Sequence, residues 1–160
     1  MIQRIQSVYL LVYAILGGLI LTMPVYSLIP GETSVDQSIY HFSMVSVVQT
    51  LNGQSNVIQH SWFLVLMVST QVICAVLTLL AFKDRKRQMR LCRLLMFWPI
   101  AIIGMLIKGT LELREMADPG HILRFGFASP SLLILSILAF LAFKGVKKDD
   151  ALVRSADRLR

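Results

Sequence analysis

Four long apolar stretches, at about 7–29, 61–82, 94–111 and 125–143, constrain this chain more than any other feature, and Lys108 is the one charged side chain within them. A helix needs about 20 residues, at 1.5 Å rise each, to cross a hydrocarbon layer about 30 Å thick. The first two stretches are long enough. The third and fourth are marginal, and each holds a proline, Pro99 and Pro130. Pro99 is expected to kink the third helix. Ser129-Pro130 admits two readings. Either it is an N-cap followed by a first-turn proline, with the helix continuing into 144–148, or the run from Ile122 is already helical and Pro130 kinks it. The second reading is favoured. Charged residues make up only 16 % of the 160 residues and cluster outside these stretches, against about 25 % in an ordinary soluble domain.

Lysine and arginine placement gives an orientation. Six lie in 83–93 and six in 144–160, and with Arg4 that makes thirteen on one side. Lys108, Arg114 and Arg124 make three on the other, and the segment 30–60 has none. Short loops rich in Lys and Arg stay in the cytoplasm. Both termini and the basic loop 83–93 are therefore expected inside, with the loop 30–60 outside. Tyr26 and Trp62 then fall at outer interfaces, and Tyr9, Phe82 and Phe143 at inner ones, where rings with one wet edge are stable. A signal peptide with a cleavage site near Val25-Tyr26-Ser27 is the competing reading of the N-terminal stretch. The uncleaved reading is preferred, because the run from Val8 to Met23 is at the upper limit for such a segment.

In the outer loop, 38–51 is rich in β-branched and aromatic residues, and Asn52-Gly53 follows before the polar run 54–59. Asn-Gly between two such runs signals a tight hairpin. An isolated hairpin is marginal in water, so it should rest on the helices or on a partner. The expected architecture is a single all-α membrane domain over 1–160. It is a four-transmembrane-helix bundle with a small extracytoplasmic β-hairpin between helices 1 and 2.

Candidate functional residues are few. Gln71, beside Ser69 and Thr70, lies mid-span, where a polar amide needs a partner. Interhelical bonding is the plain reading and a substrate path the sharper one. Ala14, Gly18 and Thr22 recur every four residues, a spacing that lets helices approach closely within the bundle or against a partner. Lys108 is expected to snorkel outward and pair with Glu112, and an ion path is the alternative. His41, His60 and His121 all map to the outer side, near Glu32, Asp36 and Asp118, but their spacing matches no metal-ligand motif. Cys74 and Cys92 lack the paired, accessible arrangement of a membrane thiol oxidoreductase.

The net charge of +7 sits beside apolar segments and not on a soluble domain, so the expected partners are the lipid bilayer and anionic lipid head groups at the basic loop and tail. Other membrane proteins, or a second copy of the chain, are expected as well, and nucleic acid is not. In the tail, Leu152, Ala156 and Leu159 share a helical face, with Asp150, Arg154 and Arg158 also at helical spacing, as in a short surface-lying helix. No phosphate loop, nucleophile elbow, metalloprotease motif or spanning carboxylate pair is present, and no cofactor is implied.

The opening Met1-Ile2-Gln3-Arg4-Ile5-Gln6-Ser7-Val8-Tyr9-Leu10 and the closing Leu152-Val153-Arg154-Ser155-Ala156-Asp157-Arg158-Leu159-Arg160 resemble an uncharacterised bacterial inner-membrane family, domain of unknown function 4293. The likeness runs end to end. It implies the four-span layout and an uncleaved N terminus, and it assigns no catalytic or binding residue. The function expected from these features is that of a non-enzymatic accessory or scaffold subunit of an inner-membrane assembly. A small oligomeric transporter or channel, with Gln71, Ser69, Thr70 and Lys108 along its path, is the alternative.

Overall fold

The computed structural model describes residues 5–32, 34–82, 84–117 and 119–158. The elements, in chain order, are α1 (Ile5–Ile20), β1 (Pro24–Pro30), β2 (Ile39–Ser43), β3 (Ser46–Leu51), β4 (Gln54–His60), α2 (Trp62–Leu80), α3 (Arg85–Met116), β5 (His121–Phe125) and α4 (Ala128–Arg158). The all-α expectation is therefore wrong. The five strands form one antiparallel sheet in the order β4-β3-β2-β1-β5. The expected hairpin exists as β3–β4, turning at Asn52-Gly53 with φ of 51° and 80°, the left-handed pair that a type I′ turn requires. It is two strands of a larger sheet, not a separate feature.

The first apolar stretch is not helical to its end. The helix stops at Ile20, and residues from Pro24 onward form a strand. Proline cannot continue a helix, and Val25, Tyr26 and Ile29 beyond it favour an extended chain. At 16 residues α1 rises about 24 Å, short of a full crossing. Among the described residues, three helices, α2, α3 and α4, are long and apolar enough to cross a membrane, where the sequence suggested four. Tyr26 is not an interfacial ring. It is buried and stacks on Phe42, with centroids 4.6 Å apart.

The connection between α3 and α4 also holds a strand. Residues 121–125 are strand β5, paired along β1 from Tyr26↔Phe125 to Pro30↔His121. The favoured helical run from Ile122 is therefore absent. The other reading of Ser129-Pro130 describes the helix better, since α4 starts at Ala128, holds Pro130 in its first turn and continues through 144–148. Ser129 is not the cap, however. Its hydroxyl donates to the carbonyl of Val25, tying α4 to β1. The same carbonyl accepts the N–H of Gly126 at 2.8 Å. A Cβ on Gly126 would collide with the Pro24 carbonyl, so glycine is needed where β5 leaves β1. A register shift between Pro24 and Tyr26 marks a bulge, which explains why Val25 and Tyr26 are both buried.

The helices pack in a closed circuit, α1 against α2 and α4, and α3 against α2 and α4. Their buried positions step by three and four: Leu64, Val68, Gln71, Ala75, Thr78 on α2, and Gln88, Cys92, Leu95, Pro99, Ile102, Leu106 on α3. That alternation is the seam of left-handed helix packing. Most of the basic loop 83–93 is the first turns of α3, whose Asp84 cap accepts the Arg87 N–H at 3.1 Å. Lys83 lies outside the described residues. The tail is the continuation of α4 and not a separate surface helix. The side chains of Arg154, Ala156 and Arg158, and all of Leu159, lie outside the described set. The first turn of α1 meets α4 about midway along it, where Gly145 packs on Gln6. The sheet lies at the opposite end of α1, where every connection is made by its strands.

Candidate functional site

Two regions bring polar chemistry together, one inside the helices and one under the sheet. In the helical interior, Tyr13 Oη donates to the Leu95 carbonyl at 3.0 Å, and Gln71 Nε2 donates to Tyr13 Oη at 2.8 Å. One relay thus joins α1, α2 and α3, and Tyr13 and Gln71 are fully buried. Gln71 Oε1, Gln6 Oε1 and Ser136 Oγ are buried with no hydrogen-bond partner among the described residues. Ser69 is half-buried, and Thr70 turns back on its own helix, its hydroxyl donating to the Leu66 carbonyl at 2.7 Å. Neither joins the relay in hydrogen bonding, so the polar triplet does not act as a unit.

The small-residue stripe on α1 is displaced by one position. A Cβ on Gly18 would meet nothing within 4 Å, and the Thr22 hydroxyl caps its own helix through the Leu19 carbonyl. Ala14 is half-buried. Gly17 makes the close approach, where a Cβ would sit 3.0 Å from Val72 Cγ2. The signal that marks this face is Gln6, Leu10, Tyr13, Gly17, Ile20, the buried three-four series.

Under the sheet, Lys108 Nζ lies 3.6 Å from Glu112 Oε1, both side chains largely exposed. They stand at the mouth of a cleft of about 280 Å³ between the start of α2, the end of α3 and the β3–β4 hairpin. Phe42, Ile58, Trp62 and Met105 supply apolar walls, and His60 adds a polar edge. Lys108 is thirteen residues from Leu95, about 20 Å along α3. Lys108 and Gln71 therefore do not share a site.

The three histidines do not converge. Among the described residues, no three His, Cys, Asp or Glu side chains cluster as a metal site would need. His41 bonds Ser27 across β1–β2, at 3.1 Å from Oγ to Nδ1. His60 sits against Trp62 at the end of β4. His121 is buried, and its Nε2 donates to the Ser38 carbonyl at 3.0 Å. Beside it, Tyr40 Oη donates to Asp36 Oδ2 at 3.0 Å, the Ser38 N–H donates to Asp36 Oδ1 at 2.9 Å, and Gln49 Nε2 donates to Ser38 Oγ at 2.9 Å. Hydrogen bonds from Ser38, then from Tyr40, with the nearby His121, hold the Asp36 carboxyl below its ordinary pKa. Burial pushes the Tyr26 phenol up to about 12. Asp118 lies outside the described residues. Cys74 and Cys92 are free thiols, half-buried and buried.

A family model described as Domain of unknown function (DUF4293) matches residues 2–159. The chain belongs to the DUF4293 family. That match covers the helices, the sheet and both polar regions, so all of them lie within one DUF4293 unit. No curated protein matches the chain.

Proposed function

We propose that this DUF4293 protein is a non-enzymatic membrane protein that serves as an accessory or scaffold subunit of a bacterial inner-membrane assembly and holds its partner by strand addition to β4. The single observation behind this reading is the free edge of the sheet. β4 is the terminal strand of the order β4-β3-β2-β1-β5, and all seven of its residues are exposed. It contains no Lys, Arg, Asp, Glu or Pro. Edge strands are usually blunted by charge or proline, because their unpaired N–H and C=O groups recruit another strand. The register shift opposite Val47/Val48 bends the strand near Ile58 and leaves the four residues from Gln54 to Val57 in regular pairing.

The lysine and arginine asymmetry supports a sheet on the extracytoplasmic side and both termini in the cytoplasm. The transport alternative is weaker, because Gln71 is fully buried among the helices while Lys108 stands exposed at the cleft mouth. In vivo photo-crosslinking from Asn56 and Val57, read by mass spectrometry, tests the docking reading. A defined membrane or extracytoplasmic protein crosslinked from both positions, and not from outward-facing positions on α2, is expected. Absence of any protein adduct from β4 would contradict it.

A further inference from the structure

The cleft under the sheet has a composition that selects a ligand. Its walls are largely apolar, with Phe42 lying over Gly109, where an added Cβ would sit 3.3 Å from the ring, and with Ile58, Trp62 and Met105 around it, while Gln59, His60 and Ser61 add a polar edge. A strongly hydrated ligand gains nothing there. The cleft also lies where the apolar run of α3 ends, since residues 94–107 carry no charge and Lys108 and Glu112 follow. At about 280 Å³ it holds roughly nine groups of water size. That is room for the upper part of an acyl chain whose remainder stays in the bilayer.

The mouth carries one positive and one negative group a helical turn apart, 3.6 Å between Nζ and Oε1, with side chains 71 % and 54 % exposed. An exposed pair of this kind contributes little to stability, so its members exchange partners at little cost. We infer that the cleft binds a bilayer phospholipid with a zwitterionic, primary-ammonium head group, its phosphate on Lys108, its ammonium on Glu112 and its acyl chain against Trp62 and Met105. An anionic head group satisfies Lys108 but is repelled by Glu112. A choline head group has no N–H to give the carboxylate, whereas a primary ammonium donates charge-assisted hydrogen bonds to it. The inference rests on the membrane placement of the helices and is independent of strand docking at β4.

Trp62 reports on the site directly, and Trp98→Phe leaves it as the only tryptophan of the two. The protein is reconstituted in phosphatidylcholine vesicles. Lipids brominated high on the acyl chain, with ethanolamine, choline or glycerol head groups, are titrated in, and Trp62 quenching is measured. The ethanolamine lipid is expected to show an advantage of roughly fivefold or more in relative affinity. The advantage should vanish in Lys108→Met, in Glu112→Gln and in the swapped pair Lys108→Glu/Glu112→Lys. The swap keeps an ion pair and reverses its direction, so a merely structural pair would leave the ranking unchanged. Mass spectrometry of complexes released from mixed-lipid nanodiscs reads the same ranking on the unaltered chain. Equal quenching by all three head groups, preference for the glycerol lipid, or a preference that survives the swap would overturn the assignment. Absence of quenching by any of them would overturn the membrane placement with it.

Discussion

At the residue scale, polar groups inside the helices follow membrane logic. Tyr13 is both donor and acceptor in the relay through Leu95 and Gln71, and removing its hydroxyl orphans a carbonyl and an amide at once. Tyr13→Phe is expected to lose about 1 kcal/mol in reversible unfolding in mixed micelles. Gln71→Leu should be neutral or stabilising by the same measurement, because it also removes the buried acceptor Oε1, which has no partner among the described residues. In the connection between β1 and β2, Asp36 has a lowered pKa. Its contribution is complete above the ordinary carboxylate value of about 3.9 and is lost as pH falls through the lower folded-state value. Thermal stability should therefore be level from neutral pH down to about 5 and fall below about 4, and Asp36→Asn should flatten that acid limb.

At the scale of elements, what the sequence revealed depended on how distinct the local signal was. Asn52-Gly53 specified its turn unaided, whereas the basic run 83–93, read as a loop, is mostly the first turns of α3. Strand β1 was hidden because a short apolar run such as 24–29 reads equally as helix or strand, and only Pro24 hinted at the break. Strand β5 was hidden because its pairing partner is about a hundred residues away. Gly120 and Gly126 at its ends were the available clue, Gly126 being required by its approach to the Pro24 carbonyl. Within the chain the close approach on α1 is made at Gly17 against Val72, because every-fourth spacing from Ala14 to Thr22 drifts off the three-four seam. Gly126→Val should detach β5 from β1, raising amide exchange across 121–125 while the exchange of α2 is unchanged. Gly53→Val should strain the left-handed turn, with φ of 80° at that residue, and loosen β3–β4 by the same readout.

At the scale of the whole molecule, the apolar helices and the sheet are separate parts, the sheet lying at one end of the helices. Among the described residues, three helices are long and apolar enough to cross a bilayer, and the connections from α1 to α2 and from α3 to α4 are gathered into one sheet at a single end. The sheet's free edge and the cleft beneath it are the places where this DUF4293 protein offers surfaces that its own chain does not cover. Both readings require that β4 and β5 share one side of the membrane and that the end of α4 lies on the other. The most direct measurement is labelling of single cysteines, in a background without Cys74 and Cys92, by a membrane-impermeant maleimide on intact cells with a permeabilised outer envelope and on inverted vesicles. Ser55→Cys and Arg124→Cys should react from the outside only, and Lys148→Cys from the inside only. Labelling of Ser55→Cys and Lys148→Cys from the same side, or of Ser55→Cys and Arg124→Cys from opposite sides, would contradict the account.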